Sequence, residues 1–393
     1  MSRKVFGYEC RKLLGAWFLW GLLVIFLVFD LFLVWENVGY DRAEYRKMYQ
    51  VIQRVGLDLE ETGIERILDG DREPIGNSEP DENSLERWYA EYVKTNKGVY
   101  DTLDLTGIRD DKIGMAVDFK PEGAYQRWIE RNYEKLEARI QEIKETGEAR
   151  CGFYPGLVYE VHSKLFGRVF RAILLELMIM TAFSVLYLMD YERLQRTESI
   201  VFCSKTGRNL LLGKCFAGMV CSFLDALILV SVPVGMFLWF VPMRGLWGTM
   251  VSSFMVMEKR GFFVYPFITF VPLEFREYLG LVLVIVGLLV VLVSVLAGTV
   301  QYFLRNSYFS MLCMSVFFWG GLALPYLVKN GFAHTAALLN PAALWYMCGG
   351  WFVEYDPSLS FAWSEFWTVG VWLTTALTGL FLGKRRFRRE DIG

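Results

Sequence analysis

Three acidic side chains interrupt long apolar stretches of the sequence and are the first residues whose position suggests chemistry. Asp30, Glu176 and Asp225 each lie inside a run that is otherwise nearly free of charge. A carboxyl group in hydrocarbon is costly, so such residues either pair inside a helix bundle or line a path for substrate or ions. For Glu176 the partner could be Arg168 or Arg171, whereas Asp225 has no neighbour of opposite charge in sequence. We take these three carboxyl groups as candidates for a translocation path, with internal pairing as the alternative.

A second group of charged residues lies in the segment 190–214, between two apolar runs. Its apolar residues at 200–202 adjoin charged positions, so a helix here would present charges to a soluble partner and an apolar strip to the membrane interface. The alternative is an ordinary basic loop that fixes membrane topology. The candidate partner-binding residues are Glu192, Arg193, Arg196, Glu198, Gly207, Arg208 and Lys214.

The sequence lacks the usual motifs of catalysis and of metal binding. Gly207 to Lys214 resembles a phosphate-binding loop, but five residues separate its glycines instead of four, and no Ser or Thr follows Lys214. The two histidines, His162 and His334, lie in no metalloprotease or esterase motif, and the seven cysteines form no Cys-x-x-Cys pair. We therefore expect a chain without catalysis, metal or cofactor of its own. Cys151 and Cys348 could form a disulfide, although two unpaired thiols are favoured.

Six apolar runs are long enough to cross a bilayer, which takes about 20 helical residues. The first could be a cleaved signal peptide, but its length and the lack of a small-residue cleavage site favour a retained span. The predicted spans are 15–35, 169–189, 215–241, 278–300, 309–328 and 363–383.

Charge distribution predicts the topology. The short segments before span 1, between spans 2 and 3, between spans 4 and 5, and after span 6 hold 15 Lys and Arg residues, against five in the other short loops. Basic residues stay preferentially in the cytoplasm, so both termini are expected there. The intervening segments are a basic interfacial helix at 1–14, for which a frayed tail is an alternative, cytoplasmic segments at 190–214, 301–308 and 384–393, and external segments at 36–168, 242–277 and 329–362.

The segment 36–168 is predicted to be an acidic, mainly helical extracytoplasmic domain, since 27 acidic and 20 basic residues lie between positions 37 and 168. Apolar residues from Tyr125 to Ile143 recur every three or four positions, which predicts an amphipathic helix. Further helices are expected at 41–55 and 85–95, with a turn-rich linker at 69–80. The aromatic segments 247–275 and 332–361 are expected to form short interfacial or re-entrant helices. The fold class is thus an all-α integral membrane protein.

Four features taken together resemble those of the permease subunits of type-2 ABC exporters. They are the basic N-terminal segment with Glu9-Cys-Arg-Lys-Leu-Leu, the six spans, the charged segment Tyr191-Glu-Arg … Thr-Gly-Arg208 … Leu-Gly-Lys214, and the Lys-Arg-Arg-Phe-Arg-Arg tail. The resemblance covers the architecture of the whole chain, but its sequence-level part is confined to the segment after span 2. The external domain departs from the commonest members, which have short external loops.

The resemblance implies that the segment 190–214 is a coupling loop that docks on a separate ATP-binding subunit. That subunit would hold ATP and Mg²⁺, and a second permease copy or a homologous permease would complete the complex in a bacterial plasma membrane. The acidic domain makes a peptide or an amphipathic compound a reasonable substrate, with no stronger indication. The alternative function is a non-transporting sensor or mechanotransmission protein whose external domain binds a ligand.

Overall fold

The computed structural model describes residues 3–55, 87–88, 90–91, 94–95, 98–115, 121–150, 161–202, 207–244, 247–253, 257–260 and 263–389. Within these ranges, six helices are long and apolar enough to cross a membrane, which confirms the predicted number of spans. Spans 1 to 6 are Trp17–Gly39, Ser163–Leu194, Leu210–Phe240, Phe275–Leu304, Ser307–Leu327 and Ser364–Phe387.

Span 2 forms the centre of the bundle. In its apolar window 72% of the residues are buried by the rest of the chain, whereas in span 5 only 11% are, so span 5 lies at the periphery. Spans 1 and 2 each contain a π-helical segment, Trp35–Gly39 and Ser163–Val169, at the end where they approach the large domain between them. The helix of span 3 begins before the span proper and runs over Gly207–Phe240.

Close packing between spans depends on small residues at a few positions. A Cβ atom on Gly298 of span 4 would lie 2.7 Å from Cys215 Sγ and 3.3 Å from Leu380 Cδ1. Glycine at this position therefore lets span 4 approach spans 3 and 6, as small residues do at helix contacts in membranes.

The turns after spans 2 and 4 and both ends of the described chain lie at one end of the bundle, which we call the basal end. Helix α1 (Arg3–Leu14) packs there, with Leu13 against Leu188 and Ala217 in a small apolar cluster and Phe6 5.9 Å from Phe216. At the C-terminal end, the Phe387 ring is 6.0 Å from that of Tyr302.

The domain between spans 1 and 2 lies at the opposite, distal end and is mainly helical where it is described. Its helices are α2 (Arg42–Val55), α3 (Leu105–Met115) and α4 (Gly123–Thr146). Helix α4 buries the predicted apolar stripe and ends at Gly147, whose φ of 73° is the left-handed conformation typical of a helix C-terminus. The predicted helix 85–95 is helical at the six described positions, and the predicted linker 69–80 lies outside the described residues.

The two remaining distal loops differ from each other. The loop after span 3 contains an antiparallel hairpin of β1 (Met257–Arg260) and β2 (Phe263–Pro266), with Glu258 opposite Tyr265. The expectation of short helices in this loop was wrong for the described residues, because Phe, Val and Tyr in this stretch favour strand pairing. The loop after span 5 contains short helices, α6 (Gly331–Leu338) and α7 (Pro341–Tyr346), and Asn340 caps the second of them.

Candidate functional site

Four charged side chains at the basal end form a buried group that we call the basal cluster, made of Glu9, Lys12, Glu192 and Lys214. Lys12 Nζ lies 2.8 Å from Glu9 Oε1 and 2.9 Å from Glu192 Oε1. The second oxygen of Glu192 is paired with Lys214, whose Nζ also donates to the Leu188 carbonyl at 3.0 Å. The cluster therefore joins α1, the end of span 2 and the start of the span 3 helix.

Two of the candidate partner-binding residues of the segment 190–214 lie inside this cluster instead of on the surface of the chain. Glu192 is 4% exposed and Lys214 is fully buried, so neither side chain is available for docking. The reason is Lys12, which comes from a distant part of the sequence and neutralises Glu192. A buried ion pair needs such partners, because an uncompensated charge removed from water is strongly destabilising.

Arg193 is also engaged within the chain. Its guanidinium contacts Asp190 at 3.1 Å and donates to the Arg305 carbonyl in the turn between spans 4 and 5. Asp190 in turn accepts a hydrogen bond from Ser307 Oγ at 2.9 Å. This second group of contacts connects the end of span 2 to the start of span 5.

The outer end of the segment is a small tip, made of the exposed side chains of Leu194, Arg196 and Ile200 and the half-buried side chain of Glu198. Arg196 adopts a φ of 56° where the helix of span 2 ends, and Glu198 begins the short helix α5 (Glu198–Phe202). Ile200 is 76% exposed and Leu194 45%, so the tip presents apolar side chains among charged ones. Gly207 is in the first turn of the span 3 helix, and the side chain of Arg208 lies outside the described part of the molecule.

The three intramembrane carboxyl groups do not form a single site. Asp30 of span 1 and Glu176 of span 2 lie within hydrogen-bonding reach of each other, while Asp225 lies near Cys221 on span 3. The suggested pairing of Glu176 with Arg168 or Arg171 is absent from the described contacts. Arg168 donates to Asn37 Oδ1 at 2.8 Å, and the Arg171 guanidinium stacks 5.1 Å from the Tyr346 ring.

At the distal end, the distal domain is anchored by a buried ion pair that sequence reasoning missed. Lys112 of α3 pairs with Glu354 of the loop after span 5, and both side chains are 1% exposed. Tyr133 of α4 donates to Glu354 Oε1 at 2.7 Å. Burial and the adjacent carboxylate raise the pKa of Tyr133, so it stays a phenol and a hydrogen-bond donor.

A second anchor joins the end of α4 to the loop after span 3. Arg139 binds Glu148 with two parallel contacts of 2.9 and 2.5 Å and donates through Nε to the Thr269 carbonyl at 3.2 Å. Ser252 Oγ donates to Glu148 at 2.8 Å. Burial alone would raise the pKa of Glu148, but the hydrogen bonds from Arg139 and Ser252 hold it below its ordinary value.

Among the described residues no group of three or more His, Cys, Asp and Glu side chains has the arrangement of a metal site. His162 is fully enclosed between Phe166, Phe267 and Tyr278, and burial lowers its pKa to about 3. Cys348 donates to the Phe166 carbonyl at 3.1 Å, whereas Cys151 lies outside the described residues.

Comparison with family models, with curated proteins and with solved structures gives no match to this chain.

Proposed function

We propose that this chain is the transmembrane permease subunit of an ABC exporter, driven by a separate ATP-binding subunit in a bacterial plasma membrane. The observation that carries the proposal is the basal cluster. By joining α1 to the ends of spans 2 and 3, it makes the N-terminal helix and the charged segment one mechanical unit. A soluble motor that moved this unit would act on three spans together.

The tip formed by Leu194, Arg196, Glu198 and Ile200 is the part of this unit that meets the motor in the proposed complex. Ile200 is an exposed aliphatic side chain that a groove on a partner would bury, and the neighbouring charges would fix its orientation. The residues Glu192, Arg193 and Lys214 act behind this surface, because their contacts are internal.

In the proposed complex, the helix of span 2 transmits a displacement of the basal end of the bundle directly to the distal end. The helix of span 2 is continuous from Ser163 to Leu194 at the centre of the bundle. ATP-driven movement of its basal end would therefore shift its packing against spans 1 and 3, which line the proposed path with Asp30, Glu176 and Asp225. The substrate class remains a peptide or an amphipathic compound, and a second permease copy completes the complex.

The experiment is affinity purification of the tagged chain in mild detergent from its native cell, with identification of the proteins that copurify. Ile200→Asp combined with Arg196→Ala should abolish recovery of an ATPase, because it removes the apolar contact and one charge of the tip. Ser199→Ala, an exposed neighbour, is the matched control and should retain the partner. Recovery of no ATPase with the unmodified chain would refute the proposal.

Glu192→Gln separates docking from transmission. This variant breaks the internal link to Lys12 and Lys214 but leaves the tip unchanged, so the ATPase should still copurify. The ATPase activity of the reconstituted complex should then respond less to the permease than it does with the unmodified chain. Loss of the partner with Glu192→Gln alone would show that the cluster forms the docking surface itself.

Mechanotransmission without transport is the second candidate, and the distal anchors favour it. Lys112 and Arg139 attach α3 and α4 to the two loops that precede spans 4 and 6, so movement of those spans would move the domain. In vesicles containing the complex, ATP-dependent accumulation of a fluorescent basic peptide supports export. ATP-dependent change in distal-domain hydrogen exchange without accumulation of any tested compound supports mechanotransmission.

A further inference from the structure

Asp30 and Glu176 meet in the middle of a regular contact between spans 1 and 2. On one side of the pair, Phe18 packs against Tyr187 with ring centroids 5.1 Å apart, and on the other, Asn37 binds Arg168 at 2.8 Å. The three contacts keep one antiparallel register along the two helices. Side-chain contacts on both sides thus fix the approach of the two carboxyl groups.

The pair lies within the hydrocarbon region of the proposed membrane. Trp17 and Trp20 are exposed at one end of span 1 and Trp35 at the other, as expected for side chains at the two membrane interfaces. Asp30 is about 18 Å from Phe18 and about 10 Å from Asn37 along the helix. It is fully buried within the chain and Glu176 is 6% exposed, so water does not solvate either carboxyl group to a useful extent.

No donor from the described residues reaches either oxygen of Asp30 or Glu176 Oε2. The nearby cations of span 2 face other groups: Lys164 contacts Asp41 at 3.3 Å, Arg168 contacts Asn37, and Arg171 contacts Tyr346. On span 3, the titratable groups at this depth are Asp225 and Cys221, which lie beside each other and add no positive charge.

Two ionised carboxylates are both hydrogen-bond acceptors and repel each other, especially where the dielectric constant is low. Their approach within hydrogen-bonding reach is favourable when one carboxyl group is protonated and donates a hydrogen bond to the other. We propose that Asp30 and Glu176 together bind one proton at neutral pH, and that the hydrogen bond made by this shared proton joins span 1 to span 2.

The site fits a proton better than a metal ion. Calcium takes six to eight oxygen ligands, and magnesium takes six in nearly ideal octahedral geometry. The pair offers two carboxyl groups, and the described residues around it form no larger set of metal ligands. A single proton satisfies the contact without further oxygen donors.

The regulatory consequence depends on the proposed function. Loss of the proton leaves two negative charges in contact and drives spans 1 and 2 apart at this level. If these spans line the export path, its opening is coupled to proton release, and the ATPase activity of the complex should depend on pH through this pair. Proton binding itself can be measured on the chain alone, whether or not it is a permease.

The test is infrared spectroscopy of the purified full chain in lipid nanodiscs, which detects the carbonyl stretch of a protonated carboxylic acid. Unmodified protein at pH 7 should show this band, and D30N/E176Q should lack the part contributed by the pair. This double variant keeps two neutral groups that can hydrogen-bond to each other, so it preserves the packing of the protonated pair. Glu36→Gln, an exposed carboxyl at the end of the same span, should leave the band unchanged.

The pH dependence of unfolding in nanodiscs provides a second measurement. The native pair holds one proton that the unfolded carboxyl groups have released at neutral pH, so the native state binds more protons and loses stability as pH rises. The unfolding constant should increase about tenfold per pH unit around neutrality, and D30N/E176Q should lose this slope.

A band at pH 7 whose intensity is the same in the double variant as in the unmodified protein overturns the proposal. So does the absence of the band in unmodified protein at pH 7. In that case, stabilisation by added Na⁺, K⁺ or Ca²⁺ would identify a cation as the ligand in place of the proton. If the band and the slope behave as expected but no ATPase copurifies with the chain, the proton site stands and the exporter proposal fails.

Discussion

Removal of the Lys112 ammonium group should destabilise the attachment of the distal domain by about 3–5 kcal/mol, the usual cost of breaking a buried ion pair from one side. The magnitude of this destabilisation follows from the burial of the Lys112–Glu354 pair. Lys112 and Glu354 are both 1% exposed, and in Lys112→Met the Glu354 carboxylate keeps the Tyr133 hydroxyl as its described side-chain donor. Methionine retains most of the aliphatic volume, so the change measures mainly the lost charge.

The assay is hydrogen exchange of the amides in α3 and α4 in nanodiscs, which reports the free energy of opening of these helices. Lys112→Met should lower that free energy by the stated amount, and the combined change Lys112→Met and Glu354→Leu should cost clearly less than the sum of the two single changes. Lys135→Met, an exposed lysine of α4, should stay within about 0.5 kcal/mol. A cost below about 1 kcal/mol for Lys112→Met would refute the reasoning that this pair anchors the domain.

Three further outcomes follow from the structure. The pKa of Glu148 is held below its ordinary 4.5, so its stabilising effect is present above that pH and is lost as pH falls through the lower folded value. Glu148→Gln should therefore lower stability near pH 7 and remove this part of the loss of stability with acid, as followed by fluorescence during unfolding. His162 has a folded pKa of about 3 against an ordinary 6.5, so as pH falls the unfolded chain takes up a proton before the folded chain does. The folding constant should therefore fall up to tenfold per pH unit between these two values, and His162→Phe should abolish that slope in denaturant titrations. Gly298→Ala should lower the melting temperature, because its Cβ would lie 2.7 Å from Cys215 Sγ. Gly287→Ala on the same span meets its nearest neighbour at an ordinary 3.5 Å and should have little effect, so equal melting temperatures for the two variants would contradict the packing described.

The spans and the helix α4 could be predicted from sequence because their signals are local. Long apolar runs have few alternatives to a membrane-crossing helix. The stripe that includes Tyr125, Leu136 and Ile143 repeats with helical periodicity and is buried in the structure. In the loop after span 3, aromatic and β-branched residues are compatible with interfacial helices and with strands, and pairing between β1 and β2 decides for strands in a way that composition does not reveal.

The candidate site was less predictable, because the state of a charged side chain depends on residues far away in sequence. The sequence alone shows Glu192 and Lys214 as charged residues next to a membrane span, but their burial depends on Lys12. The approach of Asp30 to Glu176 follows from the register of two spans that are separated by the whole distal domain. Lys112 and Glu354 are unremarkable in sequence and acquire their role by meeting in a buried interface.

Three levels of polar contact along span 2 suggest how the bundle could change shape. At the basal end Glu192 meets Lys12 and Lys214, and at the distal end Arg168 meets Asn37, so charges are compensated or hydrogen-bonded at both levels. Between them, Glu176 meets another acid. Two unit charges 4 Å apart interact by about 4 kcal/mol at an effective dielectric constant of 20, which is comparable to a large part of the stability of a small domain. Of these three contacts, the central one alone changes from attractive to repulsive with the loss of a single proton, so separation of spans 1 and 2 should begin there while the two ends stay joined.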